Sequence, residues 1–172
     1  KYMPRYGYIE ARIDFNGAPG SWSAFWMQSP TFSTKGSPGT NGTEMDIVEH
    51  RVRDKRNTDI SGKAVCNIHW DGYGNNHKSV GSGLRGSGLA AGWHLFAVEW
   101  TPDFQHYFMD GVTVWAVTNS PKPSPVPPEV PVSQRSEYIV LSTEVRKDDW
   151  AGKIPSGGYG ALAASTNQMH VD

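Results

Sequence analysis

Tyr8-Ile9-Glu10-Ala11-Arg12-Ile13-Asp14-Phe15 alternates polar and apolar side chains without a break. Successive side chains of an extended chain point to opposite faces, so Ile9, Ala11, Ile13 and Phe15 line one face and Tyr8, Glu10, Arg12 and Asp14 the other. The stretch predicts a strand with one buried and one polar face. Working outward, runs rich in β-branched and aromatic residues recur at Ser23–Gln28, Glu44–Glu49, Val65–Trp70, His94–Thr101, Gln105–Met109, Val112–Val117 and Tyr138–Val145. Asp110-Gly111, between two of these runs, suits a type I′ hairpin turn. Gly and Pro clusters punctuate the rest, and no segment sustains a helical apolar stripe. Many short strands joined by turns predict an all-β protein, an antiparallel β-sandwich or jelly roll.

With 172 residues, the chain has the length of one domain, read here as spanning residues 1–172. Pro121–Pro131 holds 6 prolines in 11 residues. Because the strand pattern resumes at Tyr138 without a change in composition, we read this segment as a rigid surface loop rather than a linker. The 16 Lys+Arg against 17 Asp+Glu give a net charge of −1, and no basic tract stands out. That balance argues against nucleic acid as a partner, since phosphate binding needs a positive footprint. No run approaches the ~18 apolar residues of a membrane span, and Lys1–Arg12 lacks the pattern of a signal peptide. Cys66 stands alone and reads as a small buried residue. Asn41-Gly42-Thr43 fits the N-glycosylation acceptor pattern.

Glu44-Met45-Asp46-Ile47-Val48-Glu49 sets 3 carboxylates among apolar neighbours in 6 residues. In a regular strand Glu44 and Asp46 share a face while Glu49 points away. A β-bulge at Ile47–Val48 would bring all three acids to one side and turn Met45, Ile47 and Val48 to the core. At ~3.3 Å per residue, with the bulge absorbing one step, the Glu44 and Glu49 backbones lie ~13 Å apart. Their side chains close that gap to about 6 Å, between the roughly 5–5.5 Å of retaining glycosidases and the roughly 6.5–9.5 Å of inverting ones, a spacing that leans to retaining and leaves inverting open. Asp46 between them would orient one glutamate and raise the proton affinity of the group, so that one acid stays protonated while another attacks. The same letters would also fit an acidic edge strand or a structural calcium site.

The surroundings of this strand are distinctive. YGYIEARIDFNGAPGSWSAFWMQSP precedes it, and HWDGYG, HLFAVEWTPD, FMDGVTVW and DDWAG follow in order. Together these resemble glycoside hydrolase family 16, the laminarinase, lichenase, agarase and carrageenase group, from Tyr6 to Asp172. The resemblance implies a curved antiparallel jelly roll with an open cleft for a polysaccharide, and double displacement with retention. It assigns Glu44 as nucleophile, Asp46 as the tuning residue and Glu49 as general acid/base, in the longer, bulged spacing of laminarinases and agarases. It places Glu10 and Arg12 in the cleft against sugar, and Trp22 and Trp26 as sugar platforms, a role suited to flat aromatic faces. His69 and Trp70 fall where laminarinases carry a His-Trp pair; neighbours alternate, so one of them faces the cleft and the other the core. Trp150, in the DDWAG segment, is a further substrate-binding candidate. Trp100 and Trp115 sit in plain strand patterns and read as core. Asp172 matches an aspartate that helps bind a structural calcium in the family, and catalysis itself calls for no cofactor. Among the histidines no spacing suggests a catalytic transition metal.

Two departures from the family pattern stand out. Where an asparagine and an apolar residue are usual, Leu141-Ser142-Thr143-Glu144 puts Ser142 and Glu144 on one face. Glu144 then either meets sugar hydroxyls, a contact that discriminates epimers, or pairs with Arg12 or Arg146. The second departure is extent: the family's domain begins before Tyr6 and its last strand continues past Asp172, so this chain reads as lacking both. The leading expectation is a secreted, monomeric, endo-acting hydrolase of a β-1,3- or β-1,3(4)-glucan. An endo-hydrolase of β-galactan or agar is the alternative within the same chemistry, as is interception of the intermediate by a sugar. A carbohydrate-binding jelly roll without catalysis is the alternative outside it.

Overall fold

The computed structural model describes residues 2–119 and 132–172, so the predicted proline-rich loop at Pro121–Pro131 lies outside the described residues. The strands are β1 (Gly7–Asp14), β2 (Ser21–Gln28), β3 (Glu44–Arg51), β4 (Ala64–Trp70) and β5 (Lys78–Gly81), followed by β6 (His94–Trp100), β7 (Phe104–Met109), β8 (Val112–Thr118), β9 (Tyr138–Val145) and β10 (His170–Val171). A single turn of helix, Pro38–Asn41, precedes β3. β5 and β10, of 4 and 2 residues, are too short and too polar to carry a legible alternation.

All pairs are antiparallel, and they build two five-stranded sheets in the orders β10-β1-β6-β7-β8 and β5-β4-β3-β2-β9. The inward faces meet in a core that includes Ile13, Phe25, Met27, Met45, Phe96 and Trp100. Burying each such side chain contributes roughly 1.5–3 kcal/mol, which is why the alternation sets which face turns inward. Trp100 is fully buried, its indole N–H donating to the Ser133 carbonyl at 3.0 Å. Trp115 is partly buried against Tyr107. Cys66 is also buried, and desolvation pushes its thiol pKa up. The β7–β8 turn has Asp110 at φ 50° and Gly111 at φ 76°, the two positive values that a type I′ turn demands. At the margin of its sheet β9 is less covered: Ile139, Leu141 and Val145, on its side away from the acids, remain 39%, 46% and 46% exposed.

Candidate active site

β3 runs through the middle of its sheet, between β2 and β4. Its pairing with β4 passes from Asp46↔Asn67 to Glu49↔Val65, and with β2 from Trp26↔Asp46 to Phe25↔Val48, so β3 carries one extra residue between Asp46 and Glu49. This is the bulge that the spacing of the acids requires. Met45, Ile47 and Val48 are at 0% exposure in the core, while Glu44, Asp46 and Glu49 emerge together on the outer face at 5–6%.

Each acid has its own surroundings. Glu44 Oε2 accepts from the Gln28 amide at 2.6 Å and from the Tyr73 hydroxyl. The Gln28 amide also donates to the Tyr73 oxygen at 3.2 Å, so the three groups fix one another. His69 Nε2 stands 3.2 Å from Asp46 Oδ2, and its Nδ1 2.9 Å from His77 Nε2. Burial, then the charges of Glu44 and Glu137, raise Asp46 well above the usual carboxylate range. Glu49 Oε2 accepts from the Asn67 side-chain amide. Burial and the Asp46 charge push Glu49 up to about 8, against the hydrogen bond from Asn67 and the charges of His69 and Arg51. One row thus holds a carboxyl group fixed by two donors beside another that keeps its proton at neutral pH, the division of roles that acid-assisted displacement needs.

The row lies in an open cleft of about 470 Å³. Trp22, Glu144, Arg146 and Trp150 form one side, and Asn67, His69, Tyr73 and His77 the other. Trp22 and Trp150 meet edge to face at 4.9 Å, and the Arg51 guanidinium lies 3.7 Å above the Trp150 ring. A narrower extension of about 70 Å³ reaches Trp26 and Ser142. There the Trp26 indole N–H donates to Ser142 Oγ at 3.1 Å, which holds the ring in place. A separate depression of about 280 Å³, near Met3, Arg5 and Arg135, contains none of these acids.

Several expected site residues land elsewhere. Glu10 and Arg12 stand on the outer face of the opposite sheet, because Ile9, Ala11 and Ile13 take the inner face of β1. Arg12 pairs there with Asp172 and lies 4.8 Å over the Trp93 ring. Neither side chain reaches the cleft. Trp70 is part of the core, since His69 has taken the outward position. Glu144 does line the cleft; Arg12 is on the other sheet, and Arg146 pairs with Asp148 at 2.6 Å instead. Asp172 has its carboxylate bound to Arg12, and it belongs to no described group of three or more acids, histidines and cysteines placed to share an ion. The described cluster with ligand atoms within 4.8 Å of one another is Glu44, Asp46 and His69, two oxygens and a nitrogen suited to a divalent ion. Within the glycosylation pattern the Asn41 amide donates to the carbonyls of Thr34 and Lys35, and Thr43 is fully buried.

Gln28, Asn67, Tyr73 and His77 belong to the site, although none was a sequence candidate. Asn67 was within reach of the pattern, because it shares a face with His69 two residues on. Tyr73 lies inside HWDGYG, but only the path of the loop after β4 carries its ring to Glu44. Asn67 also explains Gly81, its partner across β4 and β5. A Cβ at Gly81 would sit 2.0 Å from Asn67 Oδ1, so any side chain there would drive Asn67 from Glu49.

Two antiparallel five-stranded sheets with acids and tryptophans along an open cleft define a jelly roll of the carbohydrate-active kind. The family model of Glycosyl hydrolases family 16 matches residues 1–155, and the chain belongs to that family. Among curated proteins it is similar to glucan endo-1,3-beta-glucosidase A1 of Niallia circulans, 27% identical over 161 residues that make 91% of this chain and 22% of that protein. A beta-glucanase of Rhodothermus marinus is 33% identical over 61% of this chain and 35% of its own length. Among solved structures, LamAcat from Zobellia galactanivorans superposes with a TM-score of 0.65 at 20% identity, over 92% of this chain and 61% of that one. The chain therefore spans between about a fifth and three-fifths of the length of these relatives.

Proposed function

We propose that the protein is an endo-acting, retaining glycoside hydrolase that cleaves internal linkages of a β-1,3- or β-1,3(4)-glucan. The observation that carries this reading is the division of roles along β3, with Glu44 held by Gln28 and Tyr73 beside Glu49, whose carboxyl is pushed up to about 8. Glu44 Oε2 takes both donors, which leaves Oε1 to attack the anomeric carbon. As that bond forms, Glu49 gives its proton to the glycosidic oxygen and the bond to the leaving sugar breaks. Glu49, now a carboxylate, takes a proton from water, the water oxygen displaces Glu44, and the configuration is retained. Asp46, whose proton affinity is raised by burial and by Glu44, stands between the two glutamates in β3 and tunes the row while they exchange roles.

The open cleft suits a polymer that binds along its middle, and the Trp22–Trp150 pair offers apolar faces to sugar rings. A polymer substrate too large to enter a cell supports action outside it, and the same reading takes the protein as a secreted monomer without a cofactor. No described helix is long and apolar enough to cross a membrane. Glu144 on the cleft wall favours a galactan or agar substrate as the second reading, because a carboxylate there selects between sugar epimers. Reducing-end release from laminarin, lichenan, agarose, carrageenan and β-galactan tests both, with Glu44→Ser as control. Release from laminarin or lichenan that vanishes in the variant is the expected result. Release from the galactans alone selects the second reading, and saccharide binding without any release reduces the protein to a binding module.

A further inference from the structure

Glu137 and Tyr138 are adjacent, and on a strand adjacent side chains take opposite faces. Tyr138 opens β9 on the cleft side, where its hydroxyl donates to Gln28 Oε1. The amide of the same Gln28 donates to Glu44 Oε2 at 2.6 Å. With its oxygen accepting from Tyr138, the Gln28 amide keeps its N–H side turned to the Glu44 carboxylate, so Tyr138 supports the orientation that the carboxylate, an acceptor only, requires. Gln28 is also the β2 residue opposite both Glu44 and Tyr138 in the pairing of β2 with β3 and β9.

Glu137 turns the other way and is fully buried. Its Oε1 accepts from the Thr43 hydroxyl at 3.1 Å and from the Thr43 backbone N–H at 3.4 Å. Thr43, itself at 0% exposure, immediately precedes Glu44, and its carbonyl accepts from Ser29 N at 2.9 Å. Gly42 before it lies at φ +85°, and a Cβ there would sit 2.2 Å from Ser29 Cβ. The backbone leading into Glu44 therefore has little freedom to shift.

We propose that Glu137 and Tyr138 are positioning residues for the nucleophile, Tyr138 holding the Glu44 carboxylate from the cleft through Gln28 and Glu137 holding its backbone from the core through Thr43. The proposal rests on Glu44 acting as nucleophile. Burial pushes the Glu137 carboxyl up to about 8, against hydrogen bonds from Ser133 and Thr43, so at neutral pH a glutamine mimics it closely.

The test compares kcat and KM for Tyr138→Phe, Glu137→Leu, Glu137→Gln and Thr43→Val on the polymer that the unaltered protein cleaves best. Misplacing a reacting group lowers the rate far more than binding, so Tyr138→Phe and Glu137→Leu should lower kcat by about 10-fold or more with KM within about twofold. Glu137→Gln, whose amide oxygen still accepts from Thr43, should recover most of that loss. Thr43→Val keeps the volume and removes the hydroxyl donor, and it answers the same question if Glu137→Leu does not fold. Unchanged kcat in Tyr138→Phe and in the Glu137→Leu or Thr43→Val variant, or a rise in KM alone, overturns the proposal while the hydrolase reading stands. An unaltered protein inactive on every polymer overturns the hydrolase reading and this proposal with it.

Discussion

β1 and β3 both set carboxylates against apolar neighbours at alternate positions, yet the two strands meet different chemistry. Glu10 on β1 is exposed, and the only described side-chain hydrogen bond it accepts comes from Tyr8. Glu44, Asp46 and Glu49 on β3 are almost fully covered, and each has its own neighbouring polar group. The difference lies in the flanks. Beside the acids of β3 stand Gln28 on β2, Asn67 and His69 on β4, and the Tyr73 loop, whereas on the outer face of β1 Arg12 meets Trp93 and Asp172, Asp14 meets His170, and Glu10 stays exposed. Loss of water and a nearby like charge each raise the proton affinity of a carboxyl group, and of these two strands β3 supplies both.

The largest contrast should appear on removing the acids themselves. Glu44→Ser is expected to lower kcat by about 10⁴-fold or more, and Glu10→Gln to leave it within about twofold, both by reducing-end release. A comparable loss in Glu10→Gln would break the distinction between the two faces. Next is pH: kcat/KM should fall as pH rises through about 8, where Glu49 loses the proton it must donate. The Asn67 hydrogen bond holds that pKa down, so Asn67→Ala should move the alkaline limb upward. A limb that moves downward would mean that Asn67 stabilises the protonated acid.

Stability sharpens the comparison further. Glu49 and Glu137 are raised in the folded state from 4.5 to about 8, so the folded protein holds more protons than the unfolded chain between those values. Their contribution is complete below about pH 4.5 and is lost as pH rises to about 8, at up to about 1.4 kcal/mol per pH unit for each group. Denaturant unfolding across that range should show the decline, and Glu137→Gln should flatten it; an unchanged slope in that variant would remove Glu137 from the account. The smallest effect concerns the tryptophans. Trp22→Ala in the cleft should raise KM about 10-fold, or about 1.4 kcal/mol, while Trp93→Ala on the outer face leaves KM unchanged.

Much of this arrangement is written locally. The alternation of Tyr8–Phe15, the turn at Asp110-Gly111 and the bulge implied by three acids at uneven spacing all reappear in the structure. Glu44, Asp46, Glu49, Trp22, Trp26, His69, Glu144 and Trp150 do line the cleft or its extension. Glu10, Arg12 and Trp70 do not, and each was placed there by resemblance. For Trp70 the alternation already allowed only one of the pair to face outward.

Side-chain direction along a strand depends on neighbours one and two residues away, so the amino-acid order alone settles which residues of β1 and β3 turn inward. It carries no comparable signal for which sheet a strand joins or what comes to lie beside it. Those depend on pairings between residues far apart in the chain, such as Gln28 with Glu44 and Tyr138, or Arg12 with Asp172. The acids of this protein are therefore legible in its sequence, and their inequality of charge and reach is the work of the tertiary fold, which brings a core, an amide and a phenol to bear on side chains that begin alike.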